Sequence, residues 1–144
     1  MEKKLSPVGF ALKRISTEQF AIVEEAFSEK VIINLGTNLR FAVDKESRMV
    51  AVFALFKFEQ NKIPFLLIEV SCHFQITVDS WTSFISNESS KILIPKGFMG
   101  HLTMLTVGTA RGILHTKTDG TRFNQFILPT ININDLVKDD VSFD

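Results

Sequence analysis

The chain has 144 residues, 45% of them hydrophobic and 22% charged, which describes one folded domain able to bury a core without disulfide or metal support. Sixteen basic residues balance sixteen acidic ones, which excludes an overall field that would recruit nucleic acid or an anionic membrane. The lone cysteine, Cys72, excludes an internal disulfide framework and suits a reducing, cytoplasmic compartment.

No apolar run approaches the roughly 18 residues of a spanning helix, and Lys3 and Lys4 have no signal-peptide apolar region behind them. A single domain over residues 1–144 is expected, with flexible ends at 1–8 and 138–144 and no membrane insertion. Fourteen Phe, one Trp and no Tyr make the aromatic content lopsided. Phe has no polar handle, so these rings serve a core or an apolar surface that something else covers.

In chain order, Phe10–Glu25 reads as a strand with a phase shift. Phe10 and Leu12 lead, Ile15 breaks step, and Phe20 and Ile22 resume, as one bulged or bent strand would. Ile33–Val43 alternates more cleanly, with Ile33, Leu35, Leu39, Phe41 and Val43 on one face and Asn34, Asn38 and Arg40 on the other. "DKES" (Asp44–Ser47) is a hairpin connection. Met49–Glu59 follows, with Val50, Val52, Ala54, Phe56 and Phe58 on one face. "QNKIP" (Gln60–Pro64) turns the chain into the most regular alternation: Leu66, Ile68, Val70, Cys72, Phe74 and Ile76.

After Val78 the period changes. Asp79 or Ser80 is placed to N-cap a short helix containing Trp81, Phe84 and Ile85, and Ser86–Lys91 is a polar linker. Pro95 fits the first turn of a long helix. Phe98, Leu102, Leu105, Thr109 and Ile113 would form its buried face. Gly100, Met104, Gly108 and Gly112 fall four apart on a second, small-residue face where another backbone can approach closely. The fold expected is α+β: a four-stranded antiparallel meander packed with a short and a long C-terminal helix.

Catalytic and metal chemistry find little support. Cys72 and His73 are adjacent in a strand and point to opposite faces. His101 and His115 on one helix would stand about 21 Å apart. Neither CxxC nor HxxxH spacing is present, and there is no nucleophile motif, phosphate-cradling loop or basic stripe. No enzyme, metal or cofactor is therefore expected. Arg111, among small residues, suits either bidentate bonding to a carboxylate or a solvated place near the helix C-terminus.

The order of parts resembles the SecB export-chaperone family. Ala110–Arg111, followed by "ILPTININDL" (Ile127–Leu136), is similar to that family's Ala-Arg-Glu step and later Leu-Ala-Pro-type tail. "FALKRI" (Phe10–Ile15) and "PFLLIEVSCHFQI" (Pro64–Ile76) look like its first and last strands. The resemblance spans about residues 10–136.

It implies a homotetramer, a dimer of dimers, that holds unfolded or export-bound polypeptides along apolar grooves without ATP. Some SecB-like relatives instead hold an antitoxin. Two departures stand out. Gly112 replaces the family's glutamate, and Gln19 and Val23 replace acids of the first strand, leaving Glu69 as the matching acid for the SecA motor. These losses argue against delivery to SecA but leave client holding untouched.

The groove candidates are Phe53, Phe56, Phe58, Trp81, Phe84, Phe123 and Phe126. Gly100, Met104, Gly108, Arg111 and Gly112 are the interface candidates. The alternatives are a dedicated adaptor or antitoxin-type chaperone with one specific partner, and a carrier of a small apolar ligand.

Overall fold

The computed structural model describes residues 7–144 and has the expected α+β architecture. Strands β1 (Phe10–Ile22), β2 (Asn34–Asp44), β3 (Met49–Gln60) and β4 (Ile63–Ile76) form one antiparallel sheet in the order β1-β4-β3-β2. Strands β2 to β4 are joined by tight turns, while β1 closes on the far side of β4. The connection from β1 to β2 therefore crosses the end of the sheet, carrying a short 3-10 turn at Glu24–Ala26.

Local chemistry accounts for the turns. Asn61 and Lys62 both have positive φ, 53° and 66°, the conformation a two-residue hairpin needs to follow strand twist. The first strand contains two irregularities, between Leu12 and Arg14 and between Thr17 and Gln19. Lys13 and Glu18 are the extra residues, and each shifts the inward-facing set by one. That is the phase shift visible in the sequence.

A third irregularity falls between Phe58 and Glu59, where Pro64 and Leu66 find partners on β3 and Phe65 does not. Phe65 and Leu66 are consequently both buried. Proline is tolerated at such a bulge because it has no ladder hydrogen bond to donate there.

The short helix α1 (Val78–Phe84) buries Trp81 and Phe84. Its N-cap is Thr77, without a side-chain capping bond, rather than Asp79 or Ser80. The expected linker leads into β5 (Ile92–Ile94), a strand not anticipated, and Pro95 stands at the N-cap of α2 (Lys96–Lys117) rather than inside it. The long helix packs across β3 and β4.

Its buried stripe contains Met99, Leu102, Thr103, Thr106, Val107, Ala110 and Leu114. The expected face was rotated: Leu105 is 39% exposed. Thr103 and Thr106 enter the core because each hydroxyl donates to a carbonyl one turn back, those of Met99 and Leu102, at 2.8 Å.

Beyond α2 lie a 3-10 turn (Arg122–Gln125), the four-residue helix α3 (Ile133–Leu136) and β6 (Val141–Phe143). Strand β6 pairs with β5, so the segment expected as a flexible end at 138–144 carries paired structure. The other expected flexible end, 1–8, lies mostly outside the described residues. No helix of the described part is long and apolar enough to cross a membrane.

Candidate functional site

The seven groove candidates do not form one groove. Phe56 lies in the middle of the core. Phe53 lies half-buried on the opposite face of the sheet, with the Arg40 guanidinium 3.9 Å above its ring and His73 edge-on at 5.8 Å. Trp81 and Phe84 pack together at the end of the sheet where β1 begins, in a group that includes Phe98, Phe10 and Phe74. Only Phe58, Phe123 and Phe126 come together, at the other end.

There they join two rings the sequence reading missed, Phe27 and Phe65. Phe126 stands 5.6 Å from Phe58, 5.2 Å from Phe65 and 5.7 Å from Phe27, and Phe27 lies 5.4 Å from Phe123. Phe58, Phe65 and Phe123 are buried, whereas Phe27 and Phe126 remain partly open. The mixed edge-on and tilted geometries are the favourable arrangements for aromatic quadrupoles, worth about 0.5–1.5 kcal/mol per pair beyond burial.

Two of the five rings come from strands and three from connecting segments. Phe27 rides on the β1–β2 crossing, Phe123 and Phe126 on the chain after α2. Polar groups pin these segments. Buried Gln60 accepts from the Ser28 N–H at 2.9 Å and donates to the Ser28 and Val31 carbonyls at 2.6 and 3.2 Å. Arg122 lies over the rings of Phe27 and Phe123 and reaches Glu24 and Glu29 at 3.7 and 3.8 Å. Thr121 accepts from the Phe123 N–H at 3.1 Å.

Arg111 plays a part neither expectation foresaw. Its Nε donates to the Leu128 carbonyl at 2.7 Å and its Nη2 to the Pro129 carbonyl at 2.9 Å. It is a main-chain tether, and it lays Leu128 into the core.

Beyond Arg122 and its acidic partners, several apolar side chains at this end of the sheet are exposed. Ile32 precedes β2 and is 81% exposed, Ile63 opens β4 at 58%, and Ile127 follows Phe126 at 59%. Ile33, next to Ile32, and Val23, just after β1, are exposed as well. By topology the start of β2, the end of β3, the start of β4 and the end of β1 all lie at this end. A cavity of about 380 Å³, lined by Ile22, Glu24, Glu25, Thr121 and Phe123, opens beside the cluster.

The interface candidates also divide. Met104 is 52% exposed, and Gly108 and Gly112 lie on the surface with nothing within 4 Å of a Cβ built on either. Gly100 is buried, and an added Cβ there would meet Ile133 Cγ2 at 3.0 Å. Close packing within the chain thus explains Gly100 alone. Glu69, on the outer sheet face, accepts from Gln19 Nε2 at 3.0 Å.

Nearby, the bulge residue Glu18 accepts from buried Ser71 Oγ at 2.7 Å, and His73 Nε2 lies 3.0 Å from the same oxygen. Because the hydroxyl proton is engaged by Glu18, His73 donates to Ser71. The Ser71 hydroxyl, the largest cause, holds the Glu18 carboxyl below its usual range. Burial first, then the Arg14 charge, pushes His73 down. Ser71 is fully buried, which gives no approach to a substrate carbonyl, so the arrangement is structural.

Among the described residues no three His, Cys, Asp or Glu side chains gather as a metal set. Cys72 is free and buried. No protein-family model matches the chain, and no curated protein matches it.

Proposed function

We propose that the protein is an ATP-independent holdase that binds extended apolar segments of unfolded or export-bound polypeptides, in the manner of SecB-like chaperones. The observation that carries this reading is that two half-open phenylalanines and the exposed Ile32, Ile63 and Ile127 share one end of the sheet. Exposed apolar side chains gathered in one region are what a binding surface presents. Strands β1 and β2 are the sheet's outer strands, and each offers a row of backbone groups to which an extended segment could add as a further strand.

The buried rings Phe58, Phe65 and Phe123 support the site from beneath, while Phe27, Phe126 and the isoleucines make the contact. In this reading the protein assembles as a tetramer through the exposed Gly108 and Gly112 side of α2. Glu69, bonded to Gln19, leaves a weak footing for SecA.

The test is aggregation suppression against several unrelated denatured clients, comparing wild type with Ile63→Glu, Phe126→Ser and Ile127→Glu. Wild type should keep the clients in solution at stoichiometric amounts, and the variants should lose that ability while keeping their circular dichroism. Failure of the wild type with every client sinks the holdase reading. Light scattering tests the assembly, with a mass near four times that of the chain expected.

A further inference from the structure

A second cavity, of about 520 Å³, lies away from the phenylalanine cluster, between the first turns of α2 and the short helix α3. Its size falls among small-molecule sites, about 300–1,000 Å³. The cavity exists because α2 opens with two glycines on its side. A Cβ built at Gly97 meets nothing within 4 Å, so no packing within the chain demands glycine there, although glycine is a poor helix former. Met104, Ile133 and Val137 complete an apolar floor.

The polar lining has one sign of charge. Lys96 and Lys138 both line the cavity, and no carboxylate does. Among the described residues neither lysine is ion-paired. Asp140 approaches the same helix end, where its Oδ1 accepts from the Lys96 backbone N–H at 2.9 Å. It neutralises the helix terminus rather than either ammonium group. An apolar trough lined by two free cations complements a molecule with an apolar chain and a single anionic head.

We propose that this cleft binds a small aliphatic carboxylate, its chain along the Gly97–Gly100–Met104 floor and its head between Lys96 and Lys138. The site is separate from the polypeptide-binding surface and does not depend on that reading.

Decanoate is the probe, titrated below its micelle concentration into protein carrying ¹³C-methyl methionine. The Met104 methyl should shift saturably, while the fully buried Met99 and Met49, which does not line the cleft, report any global change. Decyltrimethylammonium and decanol should bind at least about tenfold more weakly, a difference two nearby cations can supply.

Gly97→Leu, a better helix former that fills the open space, should abolish the shift without lowering the thermal midpoint. Lys96→Glu and Lys138→Gln should each weaken decanoate and leave decanol unchanged. Equal binding of the cationic amphiphile, or unaltered binding by Gly97→Leu, overturns the proposal. So does displacement of decanoate by an acidic apolar peptide that binds more tightly, since the cleft would then belong to a polypeptide.

Discussion

Two aromatic groups occupy opposite ends of the same sheet, and they differ in where their rings come from. Where β1 begins, Phe10, Phe74, Trp81, Phe84 and Phe98 all sit on strands or helices. At the other end, Phe27, Phe123 and Phe126 sit on connections or 3-10 turns. A ring on a strand or helix is positioned by that element's own hydrogen-bond ladder. A ring on a connection is positioned by the few side chains that pin the segment, here Gln60, Arg111 and Arg122. Local opening is cheaper where such pins are few, so the second group should open more readily than the first.

The contrast can be broken at several points. The largest effect is expected from Phe65→Ala. This fully buried bulge residue touches Phe27, Phe58, Phe123 and Phe126, and its loss should cost about 3–5 kcal/mol in urea unfolding. Phe84→Ala at the opposite end should cost a similar amount, but only Phe65→Ala should also impair client binding. Equal impairment by both would erase the functional distinction between the ends.

Arg111→Met comes next, at about 1.5–3 kcal/mol, because two carbonyls lose a charged donor. Hydrogen exchange should quicken over residues 126–131 and stay unchanged in α1. Gln60→Leu should cost less, about 1–2 kcal/mol, and free the crossing around Phe27. Enhanced proteolysis at 24–33 is the measurement that checks it.

The smallest effect concerns pH and the sheet's outer face, which belongs to neither end. His73 is held below its ordinary 6.5, so on acidification through that value the unfolded chain takes up the proton first and stability falls. Glu18 is held below its ordinary 4.5, so its contribution is present above that value and is lost as pH falls through its folded pKa. Both act in the same direction. In His73→Gln the urea midpoint should stay level through the upper window and still drop through the lower one. A midpoint that still falls through the upper window would place that pH dependence elsewhere.

Strands β2, β3 and β4 were legible because a half-buried strand writes its period of two directly into residues such as Val50, Val52 and Ala54. The bulges of β1 were legible as a change of step at Ile15. Phe65 was hidden because a bulge beside Pro64 turns an apparently outward residue inward, and Phe27 because nothing local marks a loop residue as part of a cluster.

The buried side of α2 was misjudged because Thr103 and Thr106 were left off the expected face, which was built on Leu105, Thr109 and Ile113 instead. Thr103 and Thr106 satisfy their hydroxyls within their own helix and so enter the core. Strands β5 and β6 left no trace, since three-residue partners so far apart in the chain carry no periodicity of their own. Of the seven groove candidates, Phe58, Phe123 and Phe126 lie in one cluster. The exposed isoleucines at that end were not anticipated, because exposure at a sheet end depends on topology.

The two irregularities of β1 behave like a compensating pair of frameshifts. Upstream of Lys13 the even-numbered residues face α2, between Lys13 and Glu18 the odd-numbered ones do, and beyond Glu18 the even ones return. Deleting Lys13 alone removes the first bulge and still leaves every surviving side chain on its native face, because Leu12 and Arg14 then alternate as their partners Phe74 and His73 do. Deleting Lys13 and Glu18 together leaves every surviving side chain on its native face, in a strand two residues shorter. In this strand the loss of Lys13 or Glu18 should be tolerated better than the loss of a paired residue such as Ile15.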